Sequence, residues 1–165
     1  MIEFTQAIKL FYSNFVNFDG RSTRAEYWWV QLYMALVIFS FAVFIGVSLG
    51  SAEGLESGDL SAVPTIPLIL LLLFIVAHIL PGLALQIRRF HDLNQSGWLV
   101  LAFVLLGMIP VLGTITAIGQ LVWFCFRGTD GYNKYGPDPL AQDVELETRT
   151  LPQNSYTPRA PMFGP

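Results

Sequence analysis

Charged residues make up only 13% of this 165-residue chain, where a soluble domain carries about 25%. That shortage excludes an ordinary water-soluble globule over most of the length. Cysteine is nearly absent. The one present, Cys125, excludes an internal disulfide and a cysteine-based zinc cluster. Histidine occurs only as His78 and His91, about 20 Å apart along a continuous helix, so the two cannot share a metal ion there. No glycine-rich phosphate loop with a following Lys-Ser/Thr pair is present. The net charge of -3 leaves no basic footprint for nucleic acid. From these absences we expect no nucleic-acid partner, no cofactor, no metal site and no catalytic constellation.

What the chain has is apolar length. Residues 27–50 contain no charge and only Gln31 as a strongly polar side chain. Residues 66–87 contain no formal charge, with His78 and Gln86 as polar exceptions, and residues 98–126 contain none. A hydrocarbon core of about 30 Å needs roughly 20 apolar helical residues, and each run meets that length. Each is apolar all round, whereas helices packed on a soluble core are amphipathic. The first run is too long for a signal-peptide h-region. The expected fold is therefore all-α, a multi-pass transmembrane helical bundle.

The number of crossings turns on the third run. As one helix it would be too long for a crossing without strong tilt, and it would place Arg127 and Lys134 opposite the other basic loops. Gly107, Pro110 and Gly113 interrupt its middle, where a helix breaks or turns. We expect four segments, the last two a short hairpin from Trp98 to about Met108 and from about Gly113 to Phe126; the alternative is three. Lys9, Arg21 and Arg24 precede the first run, and Arg88 and Arg89 follow the second. The loop at 51–65 has Glu53, Glu56 and Asp59 and no basic residue. Because short cytoplasmic loops are enriched in Lys and Arg, the N-terminus and the 88–97 loop are expected in the cytoplasm.

The ends differ from the middle. Phe4, Ile8, Phe11, Phe15 and Phe18 recur at helical spacing, which predicts an N-terminal interfacial helix, or one whose same face packs on the bundle; Gly20 is able to end it. Residues 1–139 form the expected transmembrane domain. Residues 140–165, with Pro152, Pro158, Pro161 and Pro165 in a polar stretch, are expected to be a disordered tail.

Polar motifs punctuate the runs. Thr23 and Glu26 fit a capping box for the first membrane helix, with Arg21 and Arg24 as flanking charges that could also meet phosphate. Arg88 and Arg89 suit a helix C-terminus. His91 beside Asp92 offers an imidazole–carboxylate pair, though without further ligands for a metal. Residues 127–139 are rich in glycine and proline and predict turns. Under the four-segment arrangement Arg21, Arg24, Glu26, Arg88, Arg89, His91, Asp92, Asn133 and Lys134 form a candidate cytoplasmic polar cluster, while His78 is a lone intramembrane polar group.

Gly20-Arg21-Ser22-Thr23-Arg24-Ala25-Glu26-Tyr27-Trp28, Arg88-Arg89-Phe90-His91-Asp92 with Ser96-Gly97-Trp98, and Gly128-Thr129 through Asn133 to Tyr135-Gly136-Pro137-Asp138-Pro139 occur in order. Together they resemble the signature of the domain of unknown function 805 family. The resemblance implies a small multi-pass protein of the bacterial inner membrane. It implies no reaction, cofactor or catalytic residue.

The leading functional expectation is a non-catalytic protein that binds a partner protein or anionic lipid at its cytoplasmic face, in contact with membrane lipids and open to homo-oligomerisation. The alternative is a small transporter or channel component, resting on His78 near Pro81 and Gly82. An interfacial membrane enzyme using His91 and Asp92 ranks last.

Overall fold

Backbone amides inside a bilayer have no water to bond, so a chain this apolar satisfies them within helices. The computed structural model describes residues 2–50 and 64–141. They form α1 (Phe4–Ser13), α2 (Arg24–Gly50), α3 (Thr65–Asp92), α4 (Leu99–Gly107) and α5 (Pro110–Cys125). No β-strand occurs among the described residues; one isolated bridge pairs Asn133 with Gly136. The acidic loop and the proline-rich tail anticipated from the sequence lie, at 51–63 and from 142 onward, outside the described residues.

α2 and α3, with 27 and 28 residues, are each about 40 Å long, enough to cross a bilayer. The third apolar run is a helical hairpin. Its turn is tighter than the sequence suggested, because α5 begins at Pro110 and not near Gly113. Proline suits this first helical position, where its missing N–H has no partner to lose. Gly113 instead lets the two arms approach: a Cβ there would sit 2.6 Å from the Gly107 carbonyl oxygen. The arms, about 14 and 24 Å long, are shorter than α2 and α3, and exposed Met108 and Ile109 at the turn are apolar side chains that lipid accepts.

The buried core lies at one end of the bundle. Phe11 of α1, Tyr27 and Val30 of α2, Leu85 and Phe90 of α3, Val100 of α4 and Phe124 of α5 form a single cluster. Apart from Phe11, these residues lie within about two turns of the starts of α2 and α4 and of the ends of α3 and α5, so those four helix ends meet. Phe124 stacks edge-on against both Tyr27 and Phe90, at 4.7 Å in each case. Toward the opposite end large apolar side chains face outward, among them Phe39, Phe44, Val47, Ile66 and Leu72. Water would penalise such a surface, and acyl chains suit it.

Of the two alternatives for the N-terminal helix, the structure shows the packing on the bundle. Ala7 and Phe11 are buried against the bundle, while Phe4 of the helix and Phe15 and Phe18 after it are exposed. The helix stops at Ser13, capped by the Asn14 N–H on the Leu10 carbonyl, earlier than Gly20 would have placed it. Gly20 still takes a left-handed conformation, φ +81°, in the turn leading to α2.

Candidate functional site

Each helix end exposes backbone groups without helical partners, and here the polar motifs satisfy them across the fold. Thr23 Oγ1 accepts the Glu26 N–H at 3.1 Å, the hydroxyl half of the expected capping box, while the Glu26 carboxylate turns to Arg88. α3 closes with Asn94 left-handed at φ +58°. The Asn94 N–H bonds the His91 carbonyl, and the Gln95 N–H the Phe90 carbonyl, both at 2.9 Å, the Schellman pattern. The C-terminal carbonyls of α5 are capped from α3: Arg89 Nη2 donates to Phe124 O at 2.9 Å and to Phe126 O.

Asp92 ties these ends together. Its Oδ1 accepts from Arg21 Nε at 3.0 Å and Nη2 at 2.9 Å, and its Oδ2 pairs with Arg89 Nη1. All three side chains are almost fully buried. Arg21 spends its remaining donors on turn carbonyls, Nη1 on Gly131 at 2.6 Å and Nη2 on Thr129. Thr129 answers with its N–H on the Asp92 carbonyl at 2.8 Å and its hydroxyl on the same oxygen at 3.1 Å. Beside this knot, Arg88 Nη1 lies 3.4 Å from Glu26 Oε1. Two of Arg88's donor nitrogens, Nε and Nη2, have no hydrogen-bond partner among the described residues.

Of the residues named from the sequence, Arg21, Glu26, Arg88, Arg89 and Asp92 are buried in these two ion-pair groups, joined by the Ser22 N–H on the Arg88 carbonyl at 3.1 Å. His91 donates through Nδ1 to the Gly20 carbonyl at 3.1 Å and stacks on Tyr135 at 3.8 Å. Asn133 Nδ2 reaches the His91 carbonyl at 3.0 Å. Arg24 and Lys134 stand at the rim: Arg24 is exposed, and Lys134 Nζ lies over the Tyr135 ring at 4.9 Å. Two contributors, both in the third motif, gave no sign in the sequence of their contact with Asp92. Thr129 reads as an ordinary turn residue. Gly128 packs its backbone against the Asp92 carboxylate so closely that a Cβ would overlap it.

His78 lies apart, within the apolar stretch of α3. Nδ1 donates to the Phe74 carbonyl at 2.7 Å, and Nε2 bonds the Tyr12 hydroxyl at 2.7 Å. Tyr33 bonds Tyr12 at 2.7 Å. Burial first, and then the Tyr33 hydroxyl, hold the Tyr12 phenol above its ordinary range, so it stays a donor. Both imidazole nitrogens are therefore engaged. Tyr12→Phe should lower the unfolding free energy by about 0.5–1.5 kcal/mol, the usual worth of an interhelical hydrogen bond in a membrane. His78→Gln should cost no more than that. Chemical unfolding in mixed micelles measures both.

Among the described residues no group of three or more His, Cys, Asp or Glu is placed to hold a metal ion.

The model of the family described as protein of unknown function (DUF805) matches residues 15–137, the stretch that holds α2 to α5 and the four ion pairs described above. The chain belongs to this family. It is 40% identical over 126 residues to the inner membrane protein YhaI of Escherichia coli K12, covering 76% of this chain and 88% of that one. It is 33% identical over 131 residues to the inner membrane protein YhaH of the same strain, covering 76% and 89%. No solved structure matches it. The chain is thus a helical inner-membrane protein of a family without an assigned activity.

Proposed function

We propose that this is a non-catalytic protein of the inner membrane, with its N-terminus in the cytoplasm, that binds an anionic group at the polar end of its bundle. The anionic group is a lipid phosphate in the first place and an acidic segment of a partner protein in the second. The supporting observation is a cavity of about 300 Å³ beside the first turn of α2, lined by Arg21, Arg24, Arg127 and Thr129 together with Asp92, Asp130 and Asp138. Arg24 has no carboxylate within 4.0 Å among the described residues. Arg127 pairs at 2.7 Å with Asp130, but both are exposed, and such a pair is worth little and exchanges readily. The helix start adds its own preference for anions.

The orientation is supported by charge. Arg21, Arg24, Arg88, Arg89, Arg127 and Lys134 belong to the motifs gathered at one end, while the α4–α5 turn and the adjoining ends of α2 and α3 carry no basic residue. The positive-inside rule assigns the basic end to the cytoplasm. The non-catalytic reading rests on Asp92, whose two oxygens are both committed to arginines.

Arg24→Gln with Arg127→Gln should reduce retention of phosphatidylglycerol by about tenfold, in native mass spectrometry from mild detergent, with thermal stability unchanged. The wild-type retention should also weaken with salt. Retention unaffected by both substitutions would overturn the lipid reading. Loss of binding to an acidic peptide, with lipid retention intact, would favour the partner reading.

A further inference from the structure

A second concavity lies between α3 and α4. It has a volume of about 750 Å³, within the roughly 300–1,000 Å³ range of ligand sites. Its walls are apolar: Ile79, Leu83, Leu101 and Val104 line it. Ile79, Leu101 and Val104 are about half exposed, so the groove opens outward to the bilayer. From Ile79 to His91 it follows about 18 Å of helix, a depth suited to an acyl chain running inward from headgroup level.

The headgroup end is built differently. His91 lines it with only 8% of its surface exposed. The ring is fixed by Nδ1 on the Gly20 carbonyl and by Tyr135 stacked at 3.8 Å and 6°. Nδ1 carries the proton, because a carbonyl only accepts. Burial holds the His91 imidazole below its ordinary pKa, so the ring is uncharged at neutral pH and Nε2 is an acceptor; it has no hydrogen-bond partner among the described residues. It faces the groove at Gly97, where a Cβ would come within 3.1 Å of it. The exposed Asp19 carboxylate shares this rim. Lys134, over the Tyr135 ring, does not itself line the groove but lies close enough to act on His91 electrostatically, and so brings the opposite charge beside it.

We propose that the α3–α4 groove holds one phospholipid whose head carries a primary ammonium, with its acyl chain along the apolar walls. An acceptor nitrogen and a carboxylate call for a donor cation, and the lysine calls for a phosphate. A zwitterionic head with N–H donors meets all three. A choline head has no N–H to give, and a glycerol head brings a net negative charge toward Asp19. The site is separate from the Arg24 and Arg127 cavity and makes the opposite demand on the head.

The experiment is native mass spectrometry of the full chain with phospholipids of identical acyl chains bearing ethanolamine, choline or glycerol heads. One ethanolamine lipid per chain should be retained about tenfold better than the choline lipid, as one charge-assisted hydrogen bond allows. Leu101→Trp, which fills the groove from its exposed wall, should abolish that retention while leaving glycerol-lipid binding elsewhere intact. His91→Phe keeps the stack and removes the acceptor, and should bring the ethanolamine-to-choline ratio toward unity. Should that variant misfold, Asp19→Asn at the exposed rim should still lower the ratio. Equal retention of ethanolamine and choline lipids, a ratio untouched by Asp19→Asn, or a second copy of the chain in place of the lipid would each overturn the proposal.

Discussion

Asp92→Asn should lower the unfolding free energy by about 3–5 kcal/mol, the usual cost of removing one partner from a buried ion pair. The side chain keeps its shape, so the loss is electrostatic. Arg21 and Arg89 would keep their positive charges in a site almost closed to water, and the new amide would turn N–H donors toward guanidinium donors. The damage spreads along the contacts that the two arginines make. Arg21 holds the carbonyls of Thr129 and Gly131, and Arg89 holds the end of α5. Glu26→Gln affects a looser pair at 3.4 Å and should cost less. Equilibrium unfolding of both variants in mixed micelles ranks them. A loss below about 1 kcal/mol for Asp92→Asn would mean that the pair behaves as an exposed one.

Gly128→Ala should be the next most damaging change, by about 1–3 kcal/mol, as for other overpacked sites. The reason is space and not backbone conformation. The added methyl would occupy the position of the Asp92 carboxylate. The backbone cannot retreat, because its neighbours are pinned on both sides: Phe126 O by Arg89, and the Thr129 N–H by the Asp92 carbonyl. Gly131→Ala is the informative comparison. Gly131 has φ +71° and open space around its Cβ position, so the change costs only the strain of a left-handed residue, about 1–2 kcal/mol. In an Asp92→Gly background the Gly128→Ala penalty should largely vanish. A penalty unchanged in that background would show that the clash is not with Asp92.

The membrane helices were legible in the sequence because hydrophobic length is a local property. Residues 27–50 and 66–87 announce α2 and α3 without any reference to the rest of the chain. The hairpin was legible too, since Gly107, Pro110 and Gly113 cluster where a helix turns, whereas Pro81 without such neighbours leaves α3 continuous. Its exact start was not: proline's preference for the first helical turn competes with glycine's preference for the turn itself, and only the packing of Gly113 on Gly107 decides. The pairing of charges was less legible still. Arg21 and Arg24 lie three residues apart and carry the same charge, so either could serve Asp92. The fold selects Arg21, because it lies in the turn before α2, against the 127–136 loop, whereas Arg24 already belongs to the helix and faces outward. Sequence distances of 71 residues for Arg21–Asp92 and 66 for Tyr12–His78 leave no local pattern at either end. Gly128 was opaque for a related reason, since its role depends on what approaches it, and the approaching carboxylate lies in another motif.

The central claim is that the three polar motifs share one face of the membrane and that this face is cytoplasmic. With Cys125 replaced by serine, single cysteines at the exposed positions Asn17 and Tyr132 report the two ends of the folded region. A membrane-impermeant maleimide should label both in inverted vesicles and neither in right-side-out ones. Labelling of the two positions from opposite sides would contradict the four-segment arrangement, and labelling of both from outside would contradict the orientation.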